Sequence, residues 1–285
     1  MARVAGIILL VCWSLEAQHL VYPLPAETDL EWRRGLTYRT LNGVETVMDV
    51  VLPVKRQRTA PLPVLVFMNA FGGDSTRTSI QYKDWMKLAA GNGFVAITPD
   101  THLEGVGDDL DQITDYVRRH ALDLSADPAQ IGVWACSGHA YGTLPLVEDA
   151  ARTAIKSAVM YYGGEAVPVF RLDLPVMLVR AGLDRPIVNR RLDEIAANAV
   201  MANAPVTLLN YAGGHHGFDT IDDNDATRAV IVETLRFFKT TLAPAYQAAL
   251  RQKSEEIAAA GAVMRGAGRS RIQLSRLKNN CLDSL

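Results

Sequence analysis

The run Pro63-Val-Leu-Val-Phe-Met68 has no polar residue in alternation. A strand of that kind is buried on both faces, so it belongs inside a sheet covered on both sides. The pattern downstream supplies such a sheet. Phe94-Val-Ala-Ile-Thr98, Ile131-Gly-Val-Trp-Ala135, Ile155 to Tyr162, Pro175 to Arg180 and Pro205 to Asn210 read as further strands. Helical stretches fall between them: Lys83 to Asn92, ending at Gly93; Asp108 to Ala121, with Leu110, Ile113 and Val117 at helical spacing; a stretch after Ala135; and Val188 to Ala202. Asp225 to Leu242 closes the series as a strongly apolar helix. At the other end, Leu36 to Thr40 and Val44 to Leu52 flank Leu41-Asn42-Gly43, a hairpin signal. This predicts an α/β fold: a mostly parallel central sheet, an antiparallel N-terminal hairpin, and helices on both faces.

The chain of 285 residues is long enough for one such domain or two small ones. With 49% hydrophobic and 21% charged residues it is neither disordered nor fibrous. Its 29 basic and 31 acidic residues leave a net charge of -2, which excludes a strongly basic nucleic-acid binder. Cys12, Cys136 and Cys281 are too few and too scattered for a disulfide scaffold or a zinc site. There is no Gly-rich P-loop, no GxGxxG after the first strand and no metal-ligand cluster, so no cofactor and no metal are expected.

The two ends read differently from the middle. Arg3, the apolar run from Val4 to Leu15 and the small Ala17 are the parts of a secretory signal peptide over residues 1–17. The run is too short to span a bilayer, which takes about 20 residues. Leu15 stands where a small residue is preferred, and a buried N-terminal helix is the alternative. Lipoprotein processing at Cys12 is disfavoured by Val11 before it. The expectation is a secreted or periplasmic protein without stable membrane insertion, its single domain over residues 18–243. Past Pro244 the chain changes again. Ala245 to Val263 is Ala-rich and helical in character, and residues 265–285 carry Arg265, Arg269, Arg271, Arg276 and Lys278 with few apolar residues. A solvated tail is the reading, with a basic docking tail as the alternative.

Three strand ends carry residues with chemical potential. Ser137 stands between strand 131–135 and the following helix, in Ala135-Cys136-Ser137-Gly138-His139. A serine there sits on a sharp turn with its hydroxyl exposed, the nucleophile elbow usually written G-x-S-x-G. Ala135 satisfies that pattern and His139 does not; a serine that merely caps the helix is the plain alternative. Asp184 follows strand 175–180, at the edge where ligands bind in such sheets. Strand 205–210 leads into Tyr211-Ala-Gly-Gly-His-His-Gly-Phe218, a Gly-rich loop that can deliver imidazole to the same edge. The order Ser, Asp, His is that of an α/β-hydrolase triad. A serine hydroxyl needs a base, and imidazole suits the task because its unperturbed pKa is about 6.5. A carboxylate sets the tautomer and stabilises the imidazolium. An oxyanion hole would take one N–H from Gly138 and a second from Asn69-Ala-Phe-Gly-Gly73, with Phe71 as the chosen donor. His139, two residues beyond Ser137 on a helix, does not face it and is expected to be tolerated, with crowding at the turn. His215 and His216 point apart on an extended loop, so a shared metal ion is not expected.

The chain resembles the α/β-hydrolase superfamily, most closely its dienelactone-hydrolase-like and esterase branch. The resemblance spans about residues 36–242. It rests on Met48-Asp-Val-Val-Leu-Pro53, Phe67-Met-Asn-Ala-Phe-Gly-Gly73, Asp127-Pro-Ala-Gln-Ile-Gly-Val-Trp-Ala-Cys-Ser137, Arg180-Ala-Gly-Leu-Asp184 and Gly214-His-His-Gly-Phe218. It implies carboxylic-ester hydrolysis through Ser137, Asp184 and His216, the last chosen because the base in that branch precedes a small residue and then an aromatic. The sequence departs from the family at Asn69-Ala70, where His-Gly is usual, and at His139, where glycine is usual. Dienelactone hydrolase itself resembles a cysteine enzyme, whereas this chain has serine at the nucleophile position and Cys136 before it, so the lactone substrate is not carried over. The short Gly163 to Leu174 connection leaves no room for a lid domain, which suits soluble or polymer-borne esters. An acyltransferase using the same triad and a non-catalytic binding protein are the competing functions. A propeller-bearing peptidase has no room here. Oligomeric state is not legible.

Overall fold

The computed structural model describes residues 19–54 and 60–256. The expected signal peptide and the basic residues 265–285 lie outside them.

Eight strands form one sheet: β1 (Leu30–Leu41), β2 (Val44–Pro53), β3 (Leu62–Phe67), β4 (Val95–Pro99), β5 (Ala126–Cys136), β6 (Ile155–Tyr161), β7 (Val176–Ala181) and β8 (Val206–Tyr211). Their spatial order is β1-β2-β4-β3-β5-β6-β7-β8. The pairs β1/β2 and β2/β4 are antiparallel, and every pairing from β4 through β3 to β8 is parallel. Eight α-helical segments accompany the sheet: α1 (Ser75–Thr78), α2 (Ile80–Gly91), α3 (Val106–Arg119), α4 (Ala121–Leu124), α5 (Ser137–Val147), α6 (Pro186–Met201), α7 (Phe218–Ile221) and α8 (Asp225–Thr241). Residues 244–256 are also helical. The rest of the helix expected to run to Val263 lies outside the described residues.

The apolar patterning explains the layers. Val64, Val66 and Met68 of the β3 region pack on one face with Leu110, Ile113 and Val117 of α3, Leu144 of α5 and Leu192 of α6. Leu65 and Phe67 pack on the other with Trp85 of α2 and Ile231, Leu235 and Phe238 of α8. Alternate side chains of one strand thus feed two cores, which is why the run has no polar position. The hairpin turn has Asn42 at φ 51° and Gly43 at φ 79°. Positive φ at both central residues matches the right-handed twist of the flanking strands.

Strand β1 begins six residues before the expected start at Leu36. Its register breaks between Arg33 and Leu36, where Gly35 at φ 64° donates its N–H to Asp49 Oδ1 at 2.9 Å. A bulge of this kind interrupts the two-residue alternation on which a sequence reading depends. Asn224 Oδ1 caps α8 by accepting the Thr227 N–H at 3.0 Å, one residue ahead of Asp225.

The parallel strands end on one side of the molecule. The residues after β3, β5, β7 and β8 therefore meet at the carboxyl edge of the sheet.

Candidate active site

Ser137 is the first residue of α5 and has φ 51°, a left-handed conformation costly for a residue with a Cβ. The turn is held in place by close packing. A Cβ on Gly163 would stand 2.3 Å from Ser137 O, and one on Gly138 would stand 2.5 Å from the Phe71 ring. A Cβ on Gly142 would come within 2.6 Å of Ala70 Cβ. The crowding expected at residue 139 thus falls on Gly138, Gly142 and Gly163 instead.

His139 is accommodated without that crowding. Its ring lies 4.9 Å from Phe71 and 5.9 Å from Tyr82, centroid to centroid. Its Nδ1 accepts the Ala70 N–H at 3.1 Å. Burial pushes its pKa down to about 4, so the ring is neutral at ordinary pH and Nδ1 is free to accept.

Ser137 Oγ lies 2.7 Å from His216 Nε2, and His216 Nδ1 lies 2.6 Å from Asp184 Oδ2. The Asp184 side chain is fully buried, and its Oδ1 accepts the Arg185 N–H at 2.6 Å. A carboxylate has only acceptors, so the proton sits on His216 Nδ1 and Nε2 faces the serine hydroxyl as an acceptor. The loops that carry these residues are pressed together: a Cβ on Gly182 would stand 2.2 Å from Ala212 O. Gly182 N–H donates to Tyr211 O and Leu183 N–H to Gly214 O, each at 2.8 Å. Asn189 Nδ2 donates to Gly182 O at 3.2 Å, which ties the turn to α6.

The two adjacent histidines diverge. His215 is turned outward, with its N–H and Nδ1 at 2.8 and 2.9 Å from the Asp222 carboxylate. Gly217, at φ 81°, lets the loop reverse into α7, and Phe218 is fully buried beneath it against Tyr161, Tyr162 and Tyr211. The Tyr162 ring is 4.7 Å from that of His216.

The loop after β3 folds on its own asparagine. Asn69, fully buried, donates from Nδ2 to Gly72 O and Gly73 O at 3.2 and 3.0 Å. Its Oδ1 accepts the Phe71 N–H at 3.0 Å. The donor chosen from the sequence is therefore already engaged within its own loop, because Asn69 stands where it can form an Asx turn. The Phe71 ring is exposed and lies over Gly138.

A buried cluster behind His216 was not foreseen. Asp219, fully buried, accepts from Trp85 Nε1 at 2.8 Å, Gln81 Nε2 at 2.9 Å and Tyr162 Oη at 2.7 Å. Desolvation raises its pKa. Its neighbour Phe218 marks the segment as core, but nothing local names partners so distant in sequence. Cys136 is buried with its thiol pushed up to about 12 by desolvation, far from the thiolate that nucleophilic chemistry requires. Among the described residues no group of His, Cys, Asp and Glu is arranged to hold a metal ion, and no helix is long and apolar enough to cross a membrane.

No protein-family profile matches the sequence, and no curated protein matches it. Solved structures do match the fold. A bacterial heroin esterase superposes with a TM-score of 0.61 at 15% identity, over 77% of this chain and 86% of that one. Brefeldin A esterase, a bacterial homologue of human hormone-sensitive lipase, gives 0.62 at 15% identity, over 78% and 80%. A dienelactone hydrolase of Klebsiella pneumoniae gives 0.57 at 17%, over 74% and 98%.

The chain has the α/β-hydrolase fold.

The connection from β6 to β7, residues 162–175, contains neither helix nor strand. Ser137 is thus not covered by a helical cap from that connection. The turn from β5 into α5 carries Ala135 and His139 on either side of Ser137.

Proposed function

We propose that the protein is a serine hydrolase that cleaves carboxylic esters through an acyl-enzyme. The observation that carries this reading is the unbroken hydrogen-bond chain from Ser137 Oγ through His216 to a fully buried Asp184. The reading is supported by three residue types that follow three separate strands and stand in the chain order that acyl transfer by a triad uses.

In the first step Ser137 Oγ attacks the ester carbonyl carbon while its proton passes to His216 Nε2. The C=O π electrons move onto oxygen, and the Asp184 carboxylate stabilises the imidazolium. The oxyanion takes N–H donors from Gly138, at the start of α5, and from Phe71. The Phe71 N–H is at rest on Asn69 Oδ1, a neutral amide oxygen. A developing oxyanion is a stronger acceptor, so that donor shifts toward it as charge builds and is spent on the transition state rather than on the substrate. The C–O bond then breaks, and His216 returns the proton to the departing alcohol. Water attacks the acyl-enzyme by the same route in reverse, with His216 as base, and releases the carboxylic acid and Ser137.

That residues 162–175 supply no helical cap favours soluble small-molecule esters or acyl groups carried on a polymer. A series of p-nitrophenyl esters of rising acyl length tests the reading. Release of p-nitrophenol that saturates with substrate and reaches a burst equal to the enzyme concentration is expected. No turnover on any member would count against ester hydrolysis.

A further inference from the structure

We infer that His139 is a positioning residue for the proposed oxyanion hole, its imidazole fastening the loop after β3 to the nucleophile helix. The inference rests on the reading of Ser137 as nucleophile and of loop 69–73 as the second side of the hole.

The argument starts from where the loop's polar groups go. Asn69 takes the Phe71 N–H and two loop carbonyls. Thr101 exchanges backbone hydrogen bonds with Gly73 at 2.7 and 3.1 Å, and its hydroxyl donates to Asn69 O at 3.2 Å. These bonds close the loop on itself and on the segment after β4. None of them fixes its distance from Ser137. Among the described residues, the single hydrogen bond from loop 69–73 to α5 is Ala70 N–H to His139 Nδ1, at 3.1 Å.

The packing runs in the same direction. The Phe71 ring contacts the His139 ring on one side and leaves no space for a Cβ on Gly138. Tyr82, a buried residue of α2, meets the His139 ring edge-on at 5.9 Å and fixes it from behind. The imidazole therefore sits between the backbone of Ala70 and the first turn of α5. The two N–H groups proposed to receive the oxyanion belong to residues 71 and 138, each adjacent to one end of that bridge. The bridge helps to set their separation, beside the packing of Ala70 against Gly142 further along α5. A glycine at position 139 could supply neither the acceptor nor the ring.

The role calls for an acceptor at the Nδ1 position, and asparagine can place Oδ1 there. Leucine fills similar volume and accepts nothing. Wild type, His139→Asn, His139→Leu and Ser137→Ala are compared by kcat and KM on p-nitrophenyl acetate and by the affinity of an alkyl boronic acid, whose serine adduct mimics the tetrahedral state. A donor displaced by a fraction of an ångström to 1 Å costs up to about a hundredfold, so His139→Leu is expected to lose about ten- to a hundredfold in kcat. KM should stay within about twofold, and boronate affinity should fall by the same factor as kcat, since only transition-state binding is weakened. His139→Asn should remain within about threefold of wild type in kcat. Wild-type kcat in His139→Leu would overturn the inference. So would equal losses in the Asn and Leu variants, which would point to a merely structural ring. Turnover surviving in Ser137→Ala would overturn both this inference and the functional reading beneath it.

Discussion

Asp184 Oδ2 lies 2.6 Å from His216 Nδ1, and the carboxylate's other oxygen is taken up by the Arg185 N–H at the same distance. Both oxygens are thus committed, and the side chain has no exposure. The carboxylate can hold the imidazole in one orientation and one tautomer.

Replacing Asp184 by asparagine offers His216 an amide that can donate as well as accept. The ring then adopts the wrong tautomer, and kcat should fall about 10⁴-fold with the fold intact. Steady-state kinetics with a thermal melt as control check this. A loss under tenfold would mean that Asp184 is only a turn residue.

The paired histidines separate by substitution. His216→Ala should lower kcat by about 10³-fold or more, because it removes the proposed base. His215→Ala deletes a ring turned toward Asp222, so kcat should remain within about threefold. Reversed outcomes would place the loop one residue out of register.

Gly163 tests the elbow's packing. A methyl group there meets the backbone of Ser137 at 2.3 Å, and backbone cannot rotate away. Gly163→Ala should cost about 1–3 kcal/mol in urea unfolding and lower kcat through a displaced Ser137. An unchanged unfolding midpoint and unchanged kcat would show that the turn is not confined from this side.

Glu148 gives the stability a pH dependence. Its carboxyl is buried, accepts the Arg171 backbone N–H on one oxygen, and is pushed by desolvation from the ordinary 4.5 up to about 7. Between those values the folded protein holds a proton that the unfolded chain releases. Stability therefore falls as pH rises through that window and levels off above it. Glu148→Gln removes the ionisation while leaving an acceptor. It should match wild type near pH 4.5 and exceed it at pH 8 by up to about 2 kcal/mol. Urea unfolding at the two pH values reads this directly, and parallel curves for the two proteins would refute it.

Much of the fold was legible because it rests on short-range pattern. The uniform apolar run at β3, the Asn42-Gly43 turn and the spacing of Leu110, Ile113 and Val117 each report a local environment. The start of β1 was not, because the bulge at Gly35 breaks the alternation. At the site, Ser137, Asp184 and His216 were readable as residue types that follow strands, and the structure brings their side chains within hydrogen-bond reach. What stayed hidden depends on pairs remote in the chain. Asp219 finds Gln81 and Trp85, and Ala70 finds His139, only once the sheet has assembled. Asn69 concealed the state of the Phe71 N–H for a different reason, since an Asx turn competes with the open donor that a family pattern leads one to expect.

The central claim is that Ser137 is the nucleophile. A fluorophosphonate probe forms a stable phosphonyl ester with an activated serine, and peptide mass spectrometry locates the adduct. The account predicts full labelling of wild type on the peptide that contains Ser137, and none of Ser137→Ala at the same probe concentration. Equal labelling of the two proteins, or an adduct on another residue, would contradict it.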